Sequence, residues 1–393
     1  MKKILITGMG IVSSMGRGVE QHSDALTNRR SGIKDVKRVG GLPHAYWGGE
    51  LDQSVEEILT TAGIDTLPAD LSRSTALAMS AIQDLLSSTN FIDGKGSGLI
   101  NATSVGGMDT TEQEYLKDRE GWDYSKFLQH NLGQINDQIL NFYDWNLYNT
   151  TLSTACSSAA NALMLGARMI RSGKYDRIIV GGTDALSNFT MRGFESLMIY
   201  DRELCRPFDD TRAGLNLGEG AAYVLLESEE SALKSGNTPL ACLTGWANAN
   251  DAFHATASSP EGKGAVLSMS AALKCAGLRA DEIDYINAHG TATPNNDLSE
   301  SVAIQQVFDP VPPFSSTKGF TGHTLAAAGA IEAVFSVMSI RQGKIWPNLN
   351  FKTPLNETGL SPQTELIDKE VKHVLSNSFG FGGNNSTVIF SAL

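Results

Sequence analysis

Residues 153–160 read Ser-Thr-Ala-Cys-Ser-Ser-Ala-Ala and join a β-rich segment to a strongly helical one. The predicted helix, 157–172, opens on small residues, repeats apolar side chains every three or four positions and closes at Gly173. Unpaired backbone N–H groups and the positive end of the helix dipole should lower the pKa of the Cys156 thiol at this first turn. A lowered pKa favours thiolate, the form that attacks carbonyls. The alternative is that Cys156 is only a small buried residue, since free Cys is usually buried and inert.

Outward from this segment, short apolar strands alternate with helical segments, the pattern of an α/β protein. The candidate strands are 4–7, 98–103, 177–182, 221–227, 283–288 and 387–391. The candidate helices are 75–88, 157–172, 265–276 and 325–341. Segment 105–150 is polar and aromatic without clean periodicity, and we interpret it as an excursion that covers a site or forms an interface.

Two glycine-rich turns lead into strands at corresponding points of the chain. Residues 215–220 (Leu-Asn-Leu-Gly-Glu-Gly) and 380–385 (Gly-Phe-Gly-Gly-Asn-Asn) each precede a candidate strand. A chain of 393 residues is long enough for two domains or one large duplicated domain. The similarity of the two turns therefore predicts two similar halves, 1–238 and 239–393.

Composition narrows the class of protein. A net charge of −12 argues against non-specific nucleic-acid binding. No stretch approaches the ~20 apolar residues of a membrane span. The basic and then apolar start resembles a signal peptide, but its apolar run is too short, so we interpret it as the first strand. The free cysteines Cys156, Cys205, Cys242 and Cys275 lack disulfide or zinc spacing, which predicts no metal site and a reducing, cytoplasmic location.

Three more glycine-flanked segments carry candidate reactive groups. His289 follows a strand, where α/β proteins place their sites, and His323 precedes a helix rich in small residues. Loop 379–385 can bring backbone N–H groups close to a ligand. Each feature alone is also typical of a structural histidine, a helix cap or a plain turn. One nucleophile, two histidines and a donor loop together are the parts for acyl transfer through a thioester.

These motifs, in this order, resemble the β-ketoacyl-acyl carrier protein synthases. The matching segments are 154–159 (Thr-Ala-Cys-Ser-Ser-Ala), 206–209 (Arg-Pro-Phe-Asp), 287–294 (Asn-Ala-His-Gly-Thr-Ala-Thr-Pro), 318–323 (Lys-Gly-Phe-Thr-Gly-His) and 377–383 (Asn-Ser-Phe-Gly-Phe-Gly-Gly). The resemblance implies a thiolase-like fold of the α/β class, a duplicated α-β-α-β-α layered sandwich. It also implies a homodimer, with a heterodimer of related subunits left open.

The resemblance implies a role for each reactive residue. Cys156, in the first half, accepts the acyl chain from the phosphopantetheine arm of an acyl carrier protein, so the chain needs no cofactor of its own. His289 and His323, in the second half, bind the malonyl thioester carbonyl and promote decarboxylation. The product is a 3-oxoacyl-acyl carrier protein, in fatty-acid or polyene/polyketide-type lipid synthesis.

Supporting roles follow from the same resemblance. Lys318 and Glu332 order the histidine pair, although an ordinary ion pair beside a helix is the alternative. The backbone N–H groups of Cys156 and Phe381 form an oxyanion hole, and the Phe381 ring gates the acyl pocket. Substrate contacts are implied for Thr256, Thr291, Thr293 and Phe379.

The second histidine also selects a branch of the superfamily. Starter synthases primed by acetyl-CoA usually carry Asn at the position of His323, and degradative thiolases use a second Cys, so His323 indicates the elongating branch. Asn384 stands where the family usually has Thr, and 215–220 is an unusual version of its segment. These departures leave acyl length and pathway open.

Two other functions compete with this interpretation. Residues 5–13 look like a strand entering the glycine loop of a dinucleotide-dependent oxidoreductase, but the third glycine is displaced and the acidic residue is missing. A non-catalytic or partner-dependent subunit of a heterodimeric ketosynthase is the second alternative, and the intact Cys156 argues against the non-catalytic form.

Carrier proteins are acidic, so an enzyme of this net charge must present a local basic surface. Arg202, Arg206 and Arg212 cluster near a family-like segment and are the candidates. Solvated arginines or structural ion pairs are the alternative.

Overall fold

The computed structural model describes residues 3–66 and 70–393. Its helices are α1 (Gly18–Thr27), α2 (Val55–Thr61), α3 (Arg73–Ser88), α4 (Met108–Tyr115), α5 (Gln134–Tyr143), α6 (Ser158–Arg171), α7 (Asn188–Ser196), α8 (Glu229–Ser235), α9 (Lys263–Ala276), α10 (Pro294–Val307), α11 (Lys318–Thr321) and α12 (Ala328–Gln342). Its strands are β1 (Ile4–Ser13), β2 (Gly16–Arg17), β3 (Lys34–Asp35), β4 (Trp47–Gly48), β5 (Ser97–Ala102), β6 (Tyr148–Leu152), β7 (Arg177–Asp184), β8 (Gly220–Ser228), β9 (Ala241–Asn250), β10 (Tyr285–Asn287), β11 (Phe314–Ser315), β12 (Lys344–Ile345), β13 (Ile367–Asp368), β14 (His373–Gly380) and β15 (Asn384–Ser391).

The large mixed sheet consists of two runs of strands with the same order and the same relative directions. Across the described chain its order is β11-β10-β14-β15-β9-β1-β8-β7-β5-β6, with β2 beside β1. In the first run, β1 is antiparallel to β8 and β8 to β7, while β7, β5 and β6 are parallel. The second run follows the same pattern: β9 is antiparallel to β15 and β15 to β14, while β14, β10 and β11 are parallel. The two runs meet at β1 and β9, where Leu5 pairs with Cys242 and Ile6 with Ala241.

Helices complete a five-layer sandwich. The central helices α6 and α12 contact strands of both runs, and their apolar side chains share one core with them. Helices α2, α3 and α5 pack on the outer face of the first run, and α9 and α10 on that of the second. The layers are therefore α-β-α-β-α, as the family resemblance implied. Residues 238 and 239 lie between β8 and β9.

Small residues let the central helices approach each other. A Cβ added to Gly329 of α12 would lie 2.9 Å from the backbone nitrogen of Ala160 in α6. Because both helices begin at the same end of the sandwich, this packing brings the segments that precede them, 154–157 and 323–327, close together. Cys156 and His323 lie in those segments.

The observed elements differ from the expected ones in several places. Helix 325–341 begins as a 3₁₀ turn, Leu325–Ala327, before α12 starts. Segment 105–150 is more regular than its pattern indicated: it contains α4 and α5 and ends in the edge strand β6. Strands β9 and β14 and helix α10 had no counterpart among the predictions. Within residues 3–66 and 70–393, no helix combines the length and apolarity needed to cross a membrane.

The dinucleotide interpretation of the N-terminus is wrong. Residues 4–13 form one continuous strand rather than a strand followed by a glycine loop. A Cβ at Gly10 would lie 2.0 Å from the carbonyl oxygen of Ala81, so this glycine serves the packing of α3 on the sheet.

Candidate active site

Cys156 lies on a sharp turn between β6 and α6. Ala155 adopts a left-handed backbone conformation, with φ of 52°, which an L-residue rarely takes without surrounding support. The side-chain oxygen of Ser158, the first residue of α6, accepts a hydrogen bond from the Thr154 N–H at 2.8 Å and donates to the Ala155 carbonyl at 2.6 Å. The turn presents the Cys156 thiol at the start of the helix, as the sequence indicated. The thiol is buried there, which belonged to the alternative interpretation.

The expectation of a lowered thiol pKa is wrong for the unliganded enzyme. Burial, with a smaller contribution from Asp184, raises the pKa of Cys156 to about 12. The ammonium of Lys318 and the backbone N–H groups of Cys156 and Phe381 act in the opposite direction. Desolvation of the charged form outweighs them because the sulfur has almost no contact with solvent.

A β-hairpin from the second half closes over this turn. Gly380 of β14 pairs with Asn384 of β15, and the three-residue loop between them has Gly382 and Gly383 at φ of 80° and 74°. A Cβ on Gly380 would lie 2.9 Å from the Thr154 carbonyl oxygen. This close approach lets the Phe381 N–H and the Cys156 N–H, one from each half, both act on the Cys156 sulfur.

The two histidines face each other across the same cavity. His289 follows β10 and His323 precedes the Leu325–Ala327 turn; their ring centroids are 5.4 Å apart, with the planes at 87°. The Leu325 N–H donates to Nδ1 of His323 at 3.2 Å, so that ring carries its proton on Nε2. Nε2 of His323 is buried and has no hydrogen-bond partner among the described residues.

Lys318 fixes the other ring. Its ammonium donates to Nδ1 of His289 at 3.2 Å and to the His289 carbonyl oxygen at 2.6 Å, and it forms a buried ion pair with Glu332. Because the ammonium has only donors, Nδ1 of His289 is the acceptor and Nε2 carries the proton. Burial, and then Lys318, lower the pKa values of His289 and His323 well below 6.5, with His323 adding to the effect on His289. Both rings are therefore neutral Nε2–H donors near neutral pH.

Two buried carboxylates that the sequence analysis missed hold the histidine segments. Glu300 of α10 accepts the N–H groups of His289 and Gly290, both at 2.8 Å, and burial raises its pKa to about 7. Asp184, at the end of β7, accepts the Ala326 N–H at 2.8 Å and also binds segment 103–105. An acidic residue in a helix or at a strand end is usually solvated, so neither had a sequence signal.

These groups surround one cavity of about 290 Å³. The predicted site residues on its wall are Cys156, Thr256, His289, Thr291, Thr293, His323, Phe379 and Phe381. The hydroxyls of Thr291 and Thr293 lie 2.9 Å apart, and the Phe381 ring stacks on Phe194 with centroids 5.9 Å apart. Lys318 and Glu332 stand behind His289 rather than on the wall. Segment 105–150 contributes no residue to this wall.

The three candidate arginines are placed differently from one another. Arg206 pairs with Glu203 at 2.6 Å and Asp201 at 3.1 Å, and Arg212 donates to the Pro294 and Asp209 carbonyl oxygens. Both thus have the structural contacts that were the alternative to docking. The side chain of Arg202 is 79% exposed, with Glu195 at 3.7 Å.

Comparison with known proteins places the chain in a family. The model for the β-ketoacyl synthase N-terminal domain matches residues 1–232, and that for the C-terminal domain matches residues 240–352. The chain therefore belongs to the β-ketoacyl synthase family, the condensing enzymes of fatty-acid and polyketide synthesis, which confirms the resemblance drawn from its motifs.

Individual relatives agree with this assignment. The chain is 32% identical to 3-oxoacyl-[acyl-carrier-protein] synthase 2 of Staphylococcus aureus (strain COL), over 99% of this chain and 98% of that one. It is similar to the ishigamide ketosynthase/chain length factor, with 29% identity, a TM-score of 0.93 and coverage of 100% and 99% of the two chains. It is also similar to AntDE:AntF, a type II polyketide acyl-carrier protein in complex with its ketosynthase, with 27% identity, a TM-score of 0.87 and full coverage of both chains. The thiolase-like fold class is thereby confirmed.

Proposed function

We propose that this chain is an elongating ketosynthase that condenses an acyl group held on Cys156 with malonyl-acyl carrier protein. The observation that carries the proposal is the convergence of one thiol, two backbone N–H donors and two histidine Nε2–H donors on a single cavity. Two sets of donors beside one nucleophile suit a reaction in which two different carbonyl oxygens gain charge.

The first step transfers the acyl group. The Cys156 sulfur attacks the thioester carbonyl of acyl-carrier protein, the oxygen gains charge against the N–H groups of Cys156 and Phe381, and the bond to the pantetheine sulfur breaks. The proton of the Cys156 thiol ends on the departing pantetheine thiol. Because one thiol replaces another, the step is neutral in protons and is compatible with the raised pKa of Cys156.

The second step makes the carbon–carbon bond. The malonyl thioester oxygen accepts from Nε2–H of His289 and His323, the carboxylate leaves as CO₂, and the electron pair remains as an enolate. The enolate carbon attacks the acyl carbonyl, the bond to the Cys156 sulfur breaks, and that sulfur takes up one proton. Neutral rings suit this role, since they bind the enolate oxygen without giving up a proton that would quench it.

The wall of the cavity supplies the substrate contacts. We assign Thr256, Thr291 and Thr293 to the pantetheine amides, because all three line the cavity that contains Cys156 and carry hydroxyl groups. Phe379 packs beside His289, with ring centroids 5.8 Å apart. Phe381 would gate the acyl pocket by leaving its stack on Phe194. Phosphopantetheine arrives on the carrier protein, so the proposed reaction uses no resident cofactor.

Arg202 is the best-placed docking residue for an acidic carrier protein. It lines a surface hollow together with Met198, and Met198 also lines the catalytic cavity. We expect Arg202→Glu to raise KM for the carrier-protein substrate while kcat changes little. Arg206→Gln is the matched control, since Arg206 is engaged within the chain. Equal KM values for Arg202→Glu and the wild type would exclude this docking site.

We also propose that the chain works as a dimer in the cytoplasm. The strand β6 is an edge of the sheet, and its first residues, Tyr148 and Asn149, are exposed. An unpaired edge favours pairing with another chain. A second copy is the partner we expect, and a related subunit is the alternative. Light scattering on the purified chain distinguishes them, because a chain that requires a related subunit stays monomeric alone.

The test of the proposed function is the mass of the Cys156 peptide after incubation with a panel of acyl-carrier proteins. We expect an acyl adduct that malonyl-acyl carrier protein then discharges as a 3-oxoacyl product, and Cys156→Ala is the control that forms none. No adduct from any donor would contradict the proposal.

A partner-dependent subunit is the second candidate, favoured by the similarity to a ketosynthase/chain length factor. Under that function the adduct forms only after a related subunit is added.

A further inference from the structure

We infer that Asn384 is a positioning residue that aligns the two halves of the oxyanion hole. The inference rests on the proposed function. It concerns the position at which this chain departs from the Thr usual in the family.

The side-chain oxygen of Asn384 is a shared acceptor. The Ser157 hydroxyl lies 2.8 Å from it, the Asn161 amide 3.1 Å and the Asn248 amide 2.7 Å. Ser157 and Asn161 belong to the start of α6 in the first half, and Asn248 to β9 in the second. A carbonyl oxygen has two lone pairs and can serve donors from both sides at once.

The same network reaches the nucleophile turn. Asn161 donates to the Thr154 hydroxyl at 2.8 Å, and the Ser157 hydroxyl is also 2.7 Å from the Thr154 carbonyl oxygen. Asn248 and Ser386 both donate to the side-chain oxygen of Asn161, at 3.0 and 2.9 Å. The residues on either side of Cys156 are thus connected through side chains to the base of the hairpin.

Elsewhere the hairpin is held from the second half. Asn250 donates to the Gly382 carbonyl oxygen at 2.7 Å, and the Gly382 N–H donates to Ala255 at 2.8 Å. Those contacts fix the hairpin to its own half but do not set its distance from Cys156. Asn384 supplies side-chain hydrogen bonds that cross between the halves at this point.

The Asn384 contacts affect the relative position of the two oxyanion-hole donors. The Cys156 N–H moves with α6 and the Phe381 N–H moves with the hairpin, and both must lie about 3 Å from one oxygen to stabilise it. Without Asn384 the bonds of Asn161 to Asn248 and Ser386 still cross between the halves, but the Ser157 contact is lost and the relative position of the two donors is less firmly fixed. Acyl transfer should then slow, while malonyl decarboxylation, which uses the histidine donors, should not.

The experiment measures those two rates separately on purified full-length enzyme. The rate of Cys156 acylation is followed by intact mass after mixing with acyl-carrier protein, and decarboxylation by the conversion of malonyl- to acetyl-carrier protein on unacylated enzyme. For Asn384→Ala we expect acylation to fall about 10- to 100-fold and decarboxylation to stay within about 3-fold. Asn356→Ala is the matched control, since it removes an exposed amide whose side chain bonds Asp210.

A second variant keeps the test independent of folding. Ser157→Ala removes one donor to Asn384, so acylation should fall selectively but less. Because the two residues share the Ser157–Asn384 contact, the loss in the double variant should be smaller than the product of the two single losses. Thermal unfolding checks each protein, and Ser157→Ala carries the test alone if Asn384→Ala does not fold.

Equal losses in both rates, unchanged acylation, or additive losses in the double variant would overturn the inference. If the wild type itself shows neither activity, the proposed function fails instead, so the two failures are distinguishable.

Discussion

Replacing His323 with Leu should separate the two chemical steps of the enzyme. Nε2–H of His323 is a buried donor without a partner among the described residues, and it lies on the cavity wall. A preorganised donor of this kind contributes about 10²–10³ in rate, or about 2.7–4 kcal/mol of barrier. His323→Leu should therefore slow malonyl decarboxylation by that factor. Acylation of Cys156 should stay within about 3-fold, because the backbone N–H groups bind that oxygen.

The same substitution should change stability little. Removing a buried, unpaired donor relieves about 1–3 kcal/mol, while the Leu325 N–H loses its acceptor at a cost of about 1–3 kcal/mol. These terms have opposite signs, so the free energy of unfolding should change by less than about 2 kcal/mol. A large loss of stability would show that His323 is structural.

Acylation is measured from the intact mass of the enzyme, and decarboxylation from the mass of the carrier protein as malonyl is converted to acetyl. His323→Asn is the control variant, since an amide can accept from Leu325 and donate into the cavity, and it should recover about 10-fold of the lost rate. A parallel fall in both rates, or a fall in decarboxylation of less than about 10-fold, would refute the assignment of the histidine donors to decarboxylation and of the backbone N–H groups to acylation.

Three further outcomes are expected. Lys318→Met leaves Glu332 buried without its cation and should cost about 3–5 kcal/mol in urea unfolding, most of which Lys318→Met/Glu332→Gln should restore while decarboxylation stays slow. Gly380→Ala places a Cβ 2.9 Å from the Thr154 carbonyl oxygen, so acylation measured by intact mass should slow by at least about 10-fold. His22, with a pKa lowered to about 4 by burial, binds its proton more weakly in the folded than in the unfolded chain, so stability falls as the pH drops below the unfolded value of 6.5. Urea titrations should show a loss of about 2 kcal/mol from pH 7 to pH 5 that His22→Gln lacks.

The sequence predicted those parts of the site that lie in short, chemically distinctive segments. The turn at Cys156, the strand before His289 and the glycine hairpin at 380–383 are each recognisable because small residues and a reactive side chain occur together. The structure brings residues of all three segments to the wall of one cavity.

What could not be predicted depends on burial and long-range packing. The sequence places Cys156 at a helix start but does not show that its sulfur is desolvated, and burial decides the sign of its pKa change. In the sequence Glu300 is typical of a solvated helical residue. It is buried only because α10 packs beneath His289. Strand β9 has small and polar residues without an alternating pattern, so its sequence carries no strand signal although it pairs between β15 and β1 inside the sheet.

Division of the site between the two halves has a consequence during synthesis. The thiol of Cys156 leaves the ribosome long before the histidines and the hairpin, and until 380–391 has been added to the sheet it has neither the second N–H donor nor the Asn384 contacts. A nascent chain therefore presents a cysteine without the Phe381 N–H donor that the folded site places beside it. We expect acylation of Cys156 to become efficient only once residues 380–391 have joined the sheet, so that loading and condensation become possible together.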